Sequence, residues 1–563
     1  MKNLVKSLIS QFKKYEIDGY IIPKNDEFFS EHSNKDRLKA ISGFTGSAGY
    51  AVILKKKNYL FVDGRYTIQA KIECRKRFNI VSLEKLINCK IFKGLSLGID
   101  PKLFTRNQIN KFFVNNRIKL IDKNLIDKII KTNKENNKPF FALSKNITGE
   151  STNGKIKKII NFLKKNKLDY IFITSPENVA WILNIRGYDN PNSPIPNSYL
   201  IIGQNSKKKI IAKKNKLKKL IKKKIIKRDE IVEPNEIEIF LKNLKGKKIF
   251  IDNKTCSIYF EEILSKKFRI IKRDDPIYIL KSIKNKIEIN NMIKAHIIDG
   301  AALTKFIYWI KNINKKKITE VEAQNKLEKF RKKNKEYLFP SFETISGSGK
   351  NGAIVHYRAT KKNTKIINKN DIFLCDSGGQ YKFGTTDVTR TICFSKQHSR
   401  IKKIFTYVLK GHIAVACTNL KKKKTGKEID IAARKYLKLN NLDYSHGTGH
   451  GVGYFLNVHE GPQAISKFNS VKIKEGMILS NEPGYYEKNK YGIRIENLVY
   501  AKKTKNNLFF KNLTFAPIDC DLIDQKLLTR KERDYLFKYH LETYFMISKY
   551  LKPNERKWLA SLI

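Results

Sequence analysis

Four carboxylates and one imidazole stand in short glycine-flanked motifs in the second half of this chain: Asp376 and Asp387, then His450, Glu482 and Glu496. Asp376 follows the apolar run Ile372-Phe373-Leu374-Cys375, and Asp387 leads into the alternating run Val388-Thr389-Arg390-Thr391-Ile392-Cys393-Phe394. The segment therefore reads as two strands joined by a Gly-containing hairpin, with a carboxylate on each strand. Taken alone, the pair also fits two solvated loop aspartates. On strands apolar enough to be buried, two facing carboxylates repel strongly unless something neutralises them, and a divalent metal is the usual agent. With Glu482 and Glu496 added, the formal charge balances two divalent ions, and an oxygen-dominated set with one nitrogen suits manganese, cobalt or zinc. Two such ions, held by bridging carboxylates, keep a water as hydroxide near neutral pH, and the chemistry that follows is hydrolysis.

Histidines gather at the same motifs. His446 and His450 share His446-Gly447-Thr448-Gly449-His450-Gly451-Val452-Gly453, His459 sits in Asn457-Val458-His459-Glu460-Gly461-Pro462, and His356 follows Val355. A lone histidine is more often a packed core residue than a ligand, and that reading is kept for His296, His398, His412 and His540. The glycines do not form a nucleotide site. The His446 to Gly453 stretch lacks the G-x-G-x-x-G spacing, and in Ser346-Gly347-Ser348-Gly349-Lys350 a phosphate loop would need glycine where Thr344 stands. They are expected to let backbone approach the metal pocket closely.

The elements that position these groups repeat. Thr319-Glu320-Val321-Glu322 and Thr425-Gly426-Lys427-Glu428 are capping boxes 106 positions apart, and each opens an amphipathic helix. Asp376 displaced by 106 lands on Glu482, Asp387 displaced by 109 lands on Glu496, and Val355-His356 is echoed 103 positions later by Val458-His459. We read an internal pseudo-repeat of helix, His strand and acidic strand pair over 277–505, each half supplying two carboxylates and one histidine. A third capping box, Thr529-Arg530-Lys531-Glu532, opens a helix in 506–563 rich in aromatics (Tyr535, Phe537, Tyr539, Tyr544, Phe545), which either docks on the preceding domain or makes a dimer contact.

Upstream, 1–147 and 148–276 each alternate helices with short apolar strands, among them Gly19-Tyr20-Ile21-Ile22-Pro23 and Asp169-Tyr170-Ile171-Phe172-Ile173, so the class is α/β. The 563 residues allow two to four domains. Hydrophobic residues at 41% give globular composition, no apolar run is long enough to span a membrane, and no secretory signal is visible, which makes a cytoplasmic location the default. Seven scattered cysteines without Cys-x-x-Cys spacing argue for reduced, packed thiols rather than a disulfide framework or a thiolate zinc site. The net charge of +63 is spread along the chain as lysine, and even the densest run, Lys207 to Arg228, interleaves apolar residues as a solvated amphipathic face would. Neither a specific nucleic-acid partner nor a membrane is expected.

Together, Asp376-Ser377-Gly378-Gly379-Gln380-Tyr381, Gly384-Thr385-Thr386-Asp387-Val388-Thr389-Arg390-Thr391, the His446 to Gly453 stretch, Asn457 to Pro462, Asn481-Glu482-Pro483-Gly484-Tyr485-Tyr486 and Gly492-Ile493-Arg494-Ile495-Glu496-Asn497 resemble the Xaa-Pro aminopeptidases (aminopeptidase P) of the pita-bread metallopeptidase family. Ser42-Gly43-Phe44-Thr45-Gly46-Ser47-Ala48-Gly49, Asp63-Gly64-Arg65-Tyr66 and Val179-Ala180-Trp181 are similar to that family's creatinase-type N-terminal domains, so the resemblance covers nearly the whole chain. It implies a long form with two creatinase-like α/β domains (1–147, 148–276), an α+β pita-bread catalytic domain (277–505) and a C-terminal extension (506–563). It also implies two divalent ions, manganese before zinc or cobalt: Asp376 on one, His450 and Glu482 on the other, Asp387 and Glu496 bridging. His459 would stabilise the oxyanion, His356 would orient substrate or shuttle a proton, and His446 would join them in binding substrate. Glu482 would accept the water's proton. Arg494 would position groups or relay protons, with a structural ion pair as the other reading. The implied substrates are peptides with proline in second position, and a homodimer is the implied assembly. Prolidase, which cuts Xaa-Pro dipeptides, and a non-catalytic peptidase-like binding module are the alternatives.

Overall fold

The computed structural model describes residues 2–31, 33, 35–87, 89–130, 136–313 and 317–563. Its contacts divide the chain into two compact units, Met1–Tyr278 and Ile279–Ile563. Of the nine histidines, His32 lies outside the described residues.

The first unit contains the same six-stranded sheet twice. In sheet order the strands are Asn79–Ser82, Asn58–Val62, Tyr50–Leu54, Gly19–Pro23, Ser96–Ile99 and Arg117–Leu120, and then Ile231–Val232, Lys208–Ile211, Tyr199–Gly203, Tyr170–Ile173, Lys248–Asp252 and Arg269–Arg273. Both sheets are mixed in the same way, with two antiparallel pairs in the middle of the order and parallel pairs toward the edges. Central strands read as continuous apolar runs because both faces are covered, Gly19–Pro23 and Tyr199–Gly203 being buried at every position. The lysine-rich run folds as expected for an amphipathic face: helix Lys214–Lys222 buries Leu217 and Leu220, and most of its lysines are exposed.

The second unit is built from two corresponding halves. The first half runs helix Lys286–Asn312, helix Glu320–Arg331, then strands Ile345–Ser348, Phe373–Ser377 and Val388–Ile392 in one sheet. The second runs helix Ser399–Ala416, helix Gly426–Lys438, then strands Gly449–Gly451, Ile478–Asn481 and Asn497–Lys503 in another, which Glu460–Ile465 and Leu508–Asn512 extend at its edges. The capping boxes at Thr319, Thr425 and Thr529 all form, each threonine hydroxyl accepting from the amide of its glutamate. After the second half come helices Arg530–Ile547 and Pro553–Ala560.

In two respects the structure departs from the expected repeat. Neither histidine lies on a strand: His356 and His459 both occupy irregular turns after the first strand of their half. The acidic hairpins are not simple either, since each is bent into a base and a tip that belong to different sheets. Between Phe373–Ser377 and Val388–Ile392, the tip strands Gly379–Tyr381 and Gly384–Thr385 pair with each other, and Gly379–Tyr381 pairs on its other edge with Tyr337–Pro340. Between Ile478–Asn481 and Asn497–Lys503, the tip is Gly484–Glu487 with Tyr491–Arg494. Gly378 makes the first bend possible, because a Cβ there would lie 2.0 Å from the Thr386 carbonyl oxygen.

Candidate metal centre

The base and tip construction places the acidic residues at the bends. In the first hairpin Asp376 pairs with Thr389 and Ser377 with Val388, so alternation brings Asp376, Thr389 and Asp387 toward one face. In the second, Asn481 pairs with Asn497, and Glu482 and Glu496 are the next residues out on either strand. The two hairpins meet along a seam. The Glu496 amide donates to the Thr389 carbonyl at 3.1 Å, and the Thr391 hydroxyl accepts from the Arg494 amide (3.1 Å) and donates to its carbonyl (3.0 Å).

At that seam Asp387, His450 and Glu496 each offer a ligand atom within 4.8 Å of the others. His450 Nε2 lies 3.4 Å from Asp387 Oδ2 and 3.5 Å from Glu482 Oε1. Nδ1–H donates to the Gly451 carbonyl at 2.9 Å, which turns Nε2 toward the carboxylates, the orientation a metal-ligating imidazole requires. Close backbone packing sets this strand: a Cβ on Gly449 would fall 1.9 Å from the Ser480 carbonyl oxygen, and one on Gly451 2.2 Å from that of Glu460. Ser480 joins the strands that carry His450 and lead to Glu482, its hydroxyl accepting from the His450 amide (2.9 Å) and donating to Glu482 Oε1 (3.0 Å).

Asp376 is held from another side. Arg494 Nη2 donates to its Oδ2 at 2.6 Å, while Oδ1 is buried with no hydrogen-bond donor among the described residues. Arg494, 2% exposed, also donates from Nη1 to the Tyr486 hydroxyl (2.6 Å) and from Nε to Thr389 Oγ1 (3.0 Å). Thr389 passes the contact on by donating its hydroxyl to Glu496 Oε2 at 2.7 Å. Arg494 and Glu496 therefore do share a face, and the arginine forms an ion pair with Asp376. His446 bonds through Nε2 to the Tyr486 hydroxyl (2.8 Å) and through Nδ1 to the Gly447 carbonyl (2.7 Å), at the outer end of this chain of contacts. The His459 ring packs edge-on against that of His450, centroids 4.2 Å apart, and its side is open to solvent. His356 is half-buried.

Protonation in the structure reflects crowded negative charge. Burial, with Asp376 and Glu482 adding to it against the opposing His450 contact, pushes the Asp387 carboxyl up to about 6. Burial and then Asp387, Glu482 and Asp376 hold the Glu496 carboxyl well above the usual carboxylate range. Burial alone would lower the His450 imidazole, but its hydrogen bond to Asp387 and the charge of Glu482 raise it to about 9. The donor set thus fits cations of high charge: buried oxygens crowd together, one faces no donor, and an imidazolium is drawn in to offset them.

The remaining histidines divide. His296, His412 and His540 are buried core residues, and burial lowers the imidazoles of His412 and His540 to about 3 and about 4. His398 is not in the core; it is exposed and caps helix Ser399–Ala416, its Nδ1 accepting from the Arg400 amide at 3.2 Å. The Ser346 to Lys350 stretch is no anion site, since the Ser348 amide donates to the buried Glu320 carboxylate at 2.8 Å. Among the thiols, Cys74, Cys256, Cys375 and Cys393 are packed as expected, whereas Cys417 is exposed. Sequence reasoning missed Thr389, Ser480 and Tyr486. Strand alternation from Asp387 points to Thr389, and Tyr486 stands in the quoted Asn481 to Tyr486 motif, but Ser480 carries no local signal.

Comparison with known proteins gives a consistent picture. Residues 290–503 match the model of metallopeptidase family M24 and 506–562 its C-terminal region, while 5–112 and 131–288 match creatinase/prolidase N-terminal domains. The probable Xaa-Pro aminopeptidase P of Coprinopsis cinerea is 36% identical over 97% of this chain and 95% of its own length. The Xaa-Pro aminopeptidase 1 of Dictyostelium discoideum is 34% identical over 99% and 96%. Among solved structures, the X-prolyl aminopeptidase of Caenorhabditis elegans, described as a cytosolic enzyme with a di-nuclear active site, covers 100% of this chain and 99% of its own at 29% identity, with a TM-score of 0.93. The prolidase of Pyrococcus furiosus covers 63% of this chain and 98% of its own at 28% identity, with a TM-score of 0.52.

Proposed function

The chain belongs to the Xaa-Pro aminopeptidase P group of metallopeptidase family M24, and from that premise we propose that it removes the N-terminal residue from peptides whose second residue is proline. The observation that carries this reading is the convergence of Asp387, His450 and Glu496 at the seam, with Glu482 and Asp376 beside them. Two divalent ions, manganese by preference, would be held by Asp376 on one side, by His450 and Glu482 on the other, and by Asp387 and Glu496 between. When bound they supply Lewis acidity and a water-derived nucleophile at neutral pH.

The chain's own residues do the rest. Glu482, largely buried and fixed by Ser480, takes the proton released by the attacking water. His459, solvent-facing and packed on His450, donates to the oxygen of the scissile carbonyl as charge develops on it. His356 orients the substrate or carries a proton, and His446 contributes to binding through the Tyr486 hydroxyl it holds. Arg494 holds Asp376 in place through a charge-assisted hydrogen bond. The division into 1–147, 148–276, 277–505 and 506–563, a cytoplasmic location and a homodimer complete the proposal.

The test is hydrolysis of an Xaa-Pro-Xaa tripeptide and an Xaa-Pro dipeptide by manganese-loaded protein, with Asp387→Asn alongside. Release of the first residue from the tripeptide, lost in the variant, is the expected result. Cleavage of the dipeptide alone would assign a prolidase, and cleavage of neither would leave a binding module.

A further inference from the structure

On the face of strand Val388–Ile392 opposite Thr389 lies a buried guanidinium that the proposed reaction does not use. Arg390 is 1% exposed, and among the described residues its hydrogen bonds reach no carboxylate. Nη1 donates to the carbonyls of Thr389 (2.8 Å) and Glu496 (2.6 Å). The two N–H of Nη2 are shared among Asn497 Oδ1, the Ala516 carbonyl and the Tyr539 hydroxyl, each at 2.8 Å, and Nε donates to the Pro517 carbonyl at 2.8 Å. Burying a charge without a counter-ion is costly, and the cost is met here only by surrounding it with oriented neutral acceptors. Three of those acceptors, on Ala516, Pro517 and Tyr539, come from the C-terminal segment.

What this guanidinium holds is informative. Glu496 sits in a break between strands Tyr491–Arg494 and Asn497–Lys503, so no regular ladder fixes its backbone. Its amide goes to the Thr389 carbonyl, its own carbonyl to Arg390, and its carboxylate to the Thr389 hydroxyl. Tyr539 closes the arrangement from behind by donating to the Ala516 carbonyl at 2.5 Å while accepting from Arg390. We propose that Arg390 and Tyr539 are positioning residues that set the place of Glu496 in the metal centre, so that residues 506–563 govern how tightly metal is held there. This rests on Glu496 being a metal ligand.

The experiment is a calorimetric manganese titration of metal-stripped full-length protein, for wild type, Tyr539→Phe, Arg390→Lys and, as a control at an exposed position of the same helix, Lys538→Ala. Each is paired with a melting curve of the metal-free protein and with kcat at low and saturating manganese. Tyr539→Phe keeps the ring and loses the hydroxyl; it is expected to weaken manganese binding on the order of 10-fold. Its metal-free melting temperature should stay near that of wild type, and saturating manganese should restore kcat. Arg390→Lys keeps the charge but not the planar fork, and should weaken binding further. A wild-type isotherm in Tyr539→Phe would overturn the inference, as would an equal loss in Lys538→Ala or a loss seen only where the metal-free fold is compromised. If wild type itself took up no manganese, the metal-site reading would fall first, which separates the two failures.

Discussion

Replacing Arg494 by methionine should cost far more stability without metal than with it. In the metal-free protein the carboxylates at the seam are offset by two cations, Arg494 on Asp376 and the imidazolium of His450, and Arg494 is 2% exposed. Removing one partner of a buried ion pair costs roughly 3–5 kcal/mol because the other charge is left uncompensated. With divalent ions bound, Asp376 keeps a counter-charge, and the loss reduces to the hydrogen bonds to Tyr486 and Thr389, about 1.5–3 kcal/mol for bonds to a charged group. The difference, on the order of 2 kcal/mol, must reappear by linkage as tighter manganese binding in the variant, roughly 10- to 30-fold. Urea denaturation with and without manganese measures the first quantity, and calorimetric titration measures the second. Arg494→Lys, which keeps the charge and loses the fork, should cost the same in both states. An equal cost for Arg494→Met with and without metal would refute the electrostatic argument and leave Arg494 a structural pair only.

Three further outcomes are expected. Asp387 has its folded value raised to about 6 and His450 to about 9, so each contributes stability that is present at low pH and lost as pH rises through those values. Melting temperature of the metal-free protein should therefore fall from about pH 4 to 6 and again toward pH 9, each step worth at most about 3 kcal/mol, and Asp387→Asn should flatten the first. Glu320→Gln should destabilise by about 2–4 kcal/mol, read by urea denaturation with manganese affinity unchanged, because this fully buried carboxylate accepts from the Ser348 and Lys365 amides, Asn351 and the Tyr357 hydroxyl. Phe537 and Phe545, 49% and 69% exposed on helix Arg530–Ile547, are where a dimer contact would lie, so Phe537→Ser with Phe545→Ser should halve the mass seen by light scattering; an unchanged mass would remove this face from the interface.

Much of the site could be read from the sequence because its signals are local. A capping box is a four-residue pattern, and the acidic residues flank strands whose alternation shows which face each serves, so the 106-residue offset from Asp376 to Glu482 could be found without any contact. What escaped is what arises between distant segments. The roles of Thr389, Tyr486 and Arg390 depend on a seam between strands about a hundred residues apart. The bend in the first hairpin depends on Gly378 passing the Thr386 carbonyl and on Tyr337–Pro340, an upstream strand that captures the tip. His398 looked like other isolated histidines, and only its place before Ser399 makes it a cap. The aromatic helix was ambiguous for the same reason: Tyr539 turned inward to Arg390 while Phe545 stayed outside, a choice no periodicity states.

The two bent hairpins have a consequence for how this unit comes apart. Asp376 and Asp387 belong to one half and His450, Glu482 and Glu496 to the other, so any ion held by both is a cross-link between segments separated by more than sixty residues of chain. Such a tie restricts the unfolded chain much as a disulfide does, and its worth grows only slowly with the length it closes. Unlike a disulfide, it can be undone by a chelator under reducing conditions, in a chain whose cysteines are all free thiols. Metal supply would then set not only how fast the protein works but how long its halves stay zipped together.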